Sequence, residues 1–268
     1  LEAGYRKGHE TRGRESGGSS SDTPKPLEFD LQTLGAVYTF GRKEAKGRIK
    51  LRANYADKNY TNFKVITDSR DYSRTGVGST FYYRMSGKMS ALFELTGNKV
   101  EYDDSNKDNR NTKVFTGLSW DTTGKTTGEI KVGYAEKDFD DASLNDTDGS
   151  TWDAEVTWKP KSYSTFTLNF GQDFAESNGN NTFIDTDTYI IDWSHLWSDR
   201  LKSTLALETF IEQFSNSPRK ETASDFTIGL NYDSRRWLNL GVAYILRDKD
   251  SNLPNLSYQS NEIAFTLK

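Results

Sequence analysis

VFTGLSWDTTGKTTGEIKVGYAEKDF, residues 114–139, decides the fold. In its second arm Ile130, Val132 and Tyr134 alternate with Lys131, Gly133 and Ala135, and in its first arm Val114, Thr116, Leu118 and Trp120 alternate with Phe115, Gly117 and Ser119. A period of two is the signature of a strand with one apolar and one polar face. A polar, Gly-containing turn joins the arms, so the stretch is a β-hairpin with a tryptophan at its turn end.

The hairpin recurs along the chain. Residues 38–60, 82–104, 156–174, 194–214 and 231–250 each carry an aromatic, a short polar turn, an alternating strand and then an acidic or polar loop. Repetition of one hairpin builds a closed barrel or a large sheet. About fourteen strands are expected, with cores near 1–6, 29–40, 48–55, 75–84, 90–102, the two arms above, and then near 152–158, 166–171, 188–193, 204–212, 226–232, 238–247 and 261–268. The even count is that of a bacterial outer-membrane barrel with both ends in the periplasm. The whole chain, 1–268, reads as one all-β domain, an antiparallel transmembrane up-and-down barrel.

Composition agrees. Hydrophobic content is 34% and aromatic content 13%, so polar residues must sit inside strands as well as loops. No apolar run of about 18 residues exists to make a transmembrane helix, whereas a barrel strand crosses with about 9 to 11 alternating residues. There is no cysteine, which excludes disulfide and thiolate chemistry and leaves zinc only two histidines and carboxylates. The net charge of −4 and scattered basic residues give no nucleic-acid footprint. The chain opens on LEAGY, which reads like the second half of a strand and suggests a processed or trimmed N-terminus.

Connection lengths give an independent argument. Short links near 42–47, 85–89, 121–128, 159–162, 196–200 and 233–236 alternate with longer ones near 8–26, 56–74, 103–111, 138–149, 175–183, 214–222 and 247–256, the alternation of periplasmic turns and extracellular loops. The short links are therefore expected in the periplasm. Trp120, Trp158, Trp193, Trp197 and Trp237 then lie at periplasmic strand ends and form a membrane-interface girdle, with outer-membrane lipid as the partner.

The polar faces supply the lumen-lining candidates. Arg48, Lys50 and Arg52 alternate with Ile49, Leu51, Ala53 and Tyr55, and three cations on one face demand water. Asp153 and Glu155 form an acidic row against Trp152, Ala154, Val156 and Trp158; Lys131, Glu208 and Arg247 complete the set. The facing of Glu94 in strand five is open, because its alternation slips once. These charges serve either ion selectivity or a mutually neutralising wet lining.

Other chemistry is weaker. His9 lies in a polar loop, and His195 follows Ser194 at a predicted turn without the orienting geometry of a triad, so no catalytic residue is assigned. The acidic stretches 103–109 and 138–149 have the oxygen-rich composition calcium binds, but solvated loop tips have it too, and no metal or cofactor is assigned. A soluble β-sandwich also alternates along its strands. Against it, Gly117, Gly133, Ala135, Gly171, Ala206, Gly229, Gly241 and Ala243 share the polar face with charges, which suits a crowded concave interior better than an outer surface.

The hairpins at 116–141 and 152–177, with the W-x-P-x-S-Y-S-T turn of Trp158 to Thr165, resemble those of the Putative beta-barrel porin 2 family of Gram-negative outer membranes. The resemblance spans nearly the whole chain and rests on hairpin style. It implies a transport barrel in the bacterial outer membrane associated with exopolysaccharide or capsule export, with polysaccharide and export machinery as partners, and it offers no catalytic motif. The departures are the strand count, since such barrels can be larger and N-terminal strands could be missing, and the ending Leu267-Lys268 in place of a terminal aromatic. Two functions follow as expectations: a pore for hydrophilic solutes, or a non-conducting structural or adhesion barrel whose long loops bind a partner.

Overall fold

The computed structural model describes residues 1–10, 26–121, 124–177 and 182–267. Fourteen antiparallel strands follow one another in the sheet in strict chain order, each neighbour in sequence being a neighbour in space. They are β1 (Glu2–Glu10), β2 (Leu27–Phe40), β3 (Gly47–Tyr60), β4 (Tyr72–Arg84), β5 (Met89–Tyr102), β6 (Asn109–Asp121), β7 (Thr126–Phe139), β8 (Thr147–Lys161), β9 (Ser164–Glu176), β10 (Phe183–Ser198), β11 (Leu201–Phe214), β12 (Lys220–Arg235), β13 (Leu238–Ser251) and β14 (Tyr258–Leu267). The fold is all-β and up-and-down, as the repeated hairpin implies. A short helical turn, α1 (Lys64–Thr67) followed by a 3-10 turn (Asp68–Arg70), interrupts the link between β3 and β4.

The alternation of links holds from β3 onward: 85–88, 122–125, 162–163, 199–200 and 236–237 have two to four residues, and 61–71, 103–108, 140–146, 177–182, 215–219 and 252–257 have five to eleven, whereas 41–46, expected to be short, has six. Gly41 (φ +98°) and Gly124 (φ +68°) sit in the links 41–46 and 122–125 and take the left-handed backbone that a side chain disfavours. Most of the expected loop 8–26, the turn residues 122–123 and the core of the link 175–183 lie outside the described residues.

The strands outrun their expected ends mainly toward the longer links. Residues 56–60 and 72–74, read as a long loop, are the continuations of β3 and β4, with Asp57 opposite Ser73 and Lys58 opposite Tyr72. Residues 8–10 belong to β1, so His9 is a strand residue opposite Glu28 and not a loop residue. His195 likewise lies within β10 and not at a turn. In the extensions of β3 and β4 charged and amide side chains interrupt the apolar alternation while the backbone ladder continues, and Tyr60 packs there against Leu27 and Phe29.

Exposure reverses the order of a water-soluble sheet. On β7, Ile130, Val132 and Tyr134 are about half exposed, while Ala135 and Lys137 on the other face have no exposed surface. On β3, Ile49, Leu51 and Tyr55 are exposed and Arg48, Lys50 and Arg52 are half-buried. β5 resolves the open facing: Phe93 and Leu95 are exposed, and Leu92 and Glu94 are buried on the polar face. The same apolar exposure continues to Ile263, Phe265 and Leu267 at the end of the chain.

The chain divides into two compact units. Unit 1 comprises residues 1–118, 131–151 and 174–184; unit 2 comprises 119–130, 152–173 and 185–268. In unit 1 the polar face is packed: Leu27, Phe29 and Tyr60 form a buried cluster with Leu31 and Phe63 against it, and Tyr82, Leu92, Val100, Tyr102, Phe115 and Phe139 are also buried. In unit 2 the register aligns Ala206 with Thr227 and Thr204 with Gly229 and Ala243, a face of small and hydroxylic side chains.

Candidate functional site

The polar face of unit 1 is held by two ionic networks. In the first, Glu94 on β5 accepts hydrogen bonds from Arg52 on β3 (Nη2 to Oε2, 2.5 Å) and from Thr80 on β4 (2.7 Å), and its other oxygen takes Lys131 from β7 (3.3 Å). Thr80 is opposite both Lys50 and Glu94, so the register itself lines up these groups. Arg52 and Lys131 therefore share one carboxylate, while Arg48 lies over the ring of Tyr82 at 4.4 Å. Lys50 has no ion-pair partner among the described residues.

The second network lies nearer the longer links. Glu176 at the end of β9 accepts from Tyr102 Oη (2.9 Å), Asn109 Nδ2 (3.1 Å) and the fully buried Lys137. Tyr102 is on β5, and four strand spacings along a flat sheet are about 19 Å, more than two side chains can bridge. The polar face of unit 1 is thus concave at this level. Lys107 and Arg70 stand close by in the links; burial lowers the Lys107 ammonium pKa below its ordinary value. In the β3–β4 link Lys64 hydrogen-bonds Asp71 at 2.5 Å, which raises its pKa, and the same aspartate accepts the Tyr60 N–H, fastening α1 to the strand end.

In unit 2, Asp153 and Glu155 face Gly171 and Asn169 across β8 and β9, Glu208 is opposite Asp225, and Arg247 pairs with Asp225 (3.7 Å) and Glu262 (3.0 Å). The expected lining residues thus lie on the polar face, with Arg48, Lys50, Arg52 and Lys131 in unit 1 and Asp153, Glu155, Glu208 and Arg247 in unit 2. The network that composition did not single out is Arg219, Glu221 and Lys249, all buried, with Glu221 accepting from Arg219 at 2.6 Å and held 2.6 Å from Lys249. Arg219 stacks over Phe214 at 4.0 Å.

In unit 2, Trp158, Trp193 and Trp197 are linked by ring contacts on the apolar face. Trp158 stacks on Phe166 (5.1 Å), Phe166 on Trp193 (6.2 Å), and His195 touches Trp193, Tyr163 and Trp197. The indole N–H of Trp193 donates to Ser164, and that of Trp197 to Ser203, at 3.0 Å each. Trp120 closes over Gly128, where a β-carbon would come within 2.6 Å of the indole, and Trp237 stands exposed in the link before β13. The His195 imidazole packs among these rings, and among the described residues no hydrogen bond or ion pair joins it to an acid. In the acidic links, Asp108 accepts from Tyr102 N–H, Asp146 from Phe139 N–H, and Asp141 from Ser143 N–H and Asn106 Nδ2, so these carboxylates cap backbone amides. Among the described residues no group of three or more acidic or histidine side chains converges as a metal site.

An up-and-down antiparallel sheet with an exposed aliphatic and aromatic face and a charged opposite face is the pattern of an outer-membrane β-barrel protein. The chain belongs to the Putative beta-barrel porin 2 family, whose model matches residues 1–268. It resides in the bacterial outer membrane. Among solved structures it is similar to the FrpB iron transporter of Neisseria meningitidis (F5-1 variant), at 10% identity and a TM-score of 0.61 over 99% of this chain and 54% of that one. It is also similar to the alcaligin outer-membrane receptor FauA of Bordetella pertussis (10% identity, TM-score 0.51, 99% and 52%) and to the copper transporter OprC (11%, 0.51, 90% and 50%). The chain spans about half the length of these structures, and at such identities the likeness speaks for the fold alone. No curated protein matches the chain.

Proposed function

We propose that the chain works as one barrel that passes hydrophilic solutes across the outer membrane, with secreted exopolysaccharide or capsule polymer as the cargo. The observation that carries this reading is the inverted exposure: Val132 and Tyr134 face outward while Arg52, Lys131 and Glu94 are gathered on the other face. Charges, hydroxyls and amides on a water-lined wall replace part of a solute's hydration, and transport then needs no chemistry. Family membership supports the porin class, and the polymer cargo rests on the resemblance of the hairpins.

A second reading, a non-conducting barrel whose longer links bind a partner, is favoured by the packed polar face of unit 1, where Tyr102, Phe115, Lys137 and Phe139 are buried. Single-channel recording in a planar bilayer separates the two. Steady conductance that added acidic polysaccharide blocks is expected; insertion without conductance would reject the pore and leave the structural barrel.

A further inference from the structure

In unit 1 the links at the two ends of the strands carry opposite charge. Links 41–46 and 85–88 hold four cations and one acid, Glu44, whereas 61–71, 103–108 and 140–146 hold three cations and eight acids. Arg84 ties the first two links together: its backbone N–H donates to the Lys46 carbonyl (2.9 Å), its Nε to the Ser86 carbonyl (3.1 Å) and its Nη1 to the Glu44 carbonyl. That guanidinium is engaged with the backbone. Arg42, Lys46 and Lys88 are exposed instead, and among the described residues none of the three has an acidic partner.

These cations border the apolar face. Phe40 lies opposite Ile49 and Tyr83 opposite Gly47, in the outward rows, and Phe40, Tyr83 and Met85 are all exposed. Lys46 Nζ stands 4.7 Å from the centre of the Tyr83 ring, so its ammonium is held on the lipid-facing side of the rim. A long aliphatic stem beside an exposed ring, with its charge beyond the strand end, is how lysine and arginine reach a bilayer's headgroup layer. A solute in a lumen would meet the opposite face. Charge then selects the headgroup: a phosphodiester without an amine of its own offers a full negative charge and several acceptor oxygens, whereas phosphatidylethanolamine brings a competing ammonium.

We propose that the rim formed by links 41–46 and 85–88 binds the headgroup phosphate of an anionic phospholipid, phosphatidylglycerol, in the leaflet that these links face, with Arg42, Lys46 and Lys88 as donors. The proposal needs the barrel in a bilayer and does not depend on conduction, so a chain that inserts without conductance leaves it standing. The chain has no cysteine, and M85C therefore takes a single fluorophore at the rim. The labelled full chain is refolded into phosphatidylethanolamine vesicles that contain either chain-brominated phosphatidylglycerol or chain-brominated phosphatidylethanolamine at equal mole fraction, and quenching gives their relative association. Phosphatidylglycerol is expected to be preferred by about threefold. The preference should vanish when R42Q/K46Q/K88Q is added, and K99Q/R110Q, which removes two cations near the longer links, should leave it unchanged. Heat-modifiable gel mobility verifies that each variant is folded, and loss of the preference at about 1 M salt tests the role of charge with no cation removed. Equal quenching by the two lipids, or a preference that survives R42Q/K46Q/K88Q or the salt, overturns the site. Lipid A that relieves the quenching at a lower mole fraction than unbrominated phosphatidylglycerol would assign these cations to lipopolysaccharide phosphate and overturn the phospholipid.

Discussion

The polar faces of the two units obey the same alternation and are filled differently. In unit 1 aromatic and ionic side chains pack against one another, whereas among the described buried apolar residues unit 2 contributes Phe214 alone. Alternation decides which face a residue occupies; side-chain volume and pairing decide whether water stays there. Buried charge is likewise handled in two ways. Unit 2 sequesters Glu221 between Arg219 and Lys249, and unit 1 sets Lys137 against a Glu176 that keeps 21% of its side chain exposed and has two neutral donors besides.

That difference predicts the largest effect. E221A removes the carboxylate held between two buried cations and should cost about 3–5 kcal/mol of unfolding free energy. K137A leaves a carboxylate that still has Tyr102, Asn109 and some water, and should cost about 2 kcal/mol, most of it cavity. Urea unfolding in detergent micelles, followed by tryptophan fluorescence, measures both. Equal losses would show that the two networks are equivalent and that exposure of the carboxylate does not matter.

Charge reversal sharpens the same comparison on the function. Lys50 in unit 1 and Glu155 in unit 2 have no ion-pair partner among the described residues, while Arg52 and Arg247 are each paired. Reversing an unpaired charge on a wet wall changes the local potential by a full two charges, whereas neutralising a paired one also releases its partner. K50E is therefore expected to shift the cation-to-anion permeability ratio toward cations on the order of twofold to fivefold. E155K should shift it toward anions by a like amount, and R52Q should move it less than K50E. Reversal potentials across a salt gradient give the ratios, and an R52Q shift as large as that of K50E would mean that pairing with Glu94 does not set Arg52 aside.

Much of this was readable in the sequence because period two survives in most strand cores: the succession of strands and the shared face of Arg48, Lys50 and Arg52, and of Asp153 and Glu155, follow from it. What escaped has identifiable causes. The ends of β3 and β4 escaped because Asp57, Lys58, Asn59, Ser73 and Arg74 interrupt the apolar alternation, and the burial of Tyr60 against Phe29 depends on a partner strand that no local pattern reveals. Glu94 escaped because Leu92 breaks its alternation by being buried beside it. Lys137 and Glu176 lie near or within stretches that read as loops, and Glu176 meets Tyr102 across 74 positions of sequence, a separation that no local pattern encodes.

The smallest expected effect lies in how each unit ties neighbouring links together. Unit 1 uses an aspartate: Asp141 accepts from the Ser143 N–H at 2.8 Å and from Asn106 Nδ2 at 2.6 Å, joining the links 140–146 and 103–108. Unit 2 uses an amide: Asn252 donates to the Pro218 carbonyl at 2.7 Å and accepts from the Lys220 N–H at 2.8 Å, joining 252–257 to 215–219. The backbone N–H of Ser143, then its hydroxyl and Asn106, hold the Asp141 carboxyl below its ordinary range. A folded pKa below the unfolded one means that the tie is at full strength above the usual carboxylate value, about 3.9, and is lost as pH falls through the lower folded value. The Asn252 tie has no proton to gain. Amide-exchange protection at Ser143 should therefore fall as the pH drops below the usual carboxylate range, while protection at Lys220 holds, and D141N should flatten the Ser143 profile. Parallel profiles at the two amides would place the acid sensitivity in the strands, and the aspartate would then be no more than an exchangeable cap.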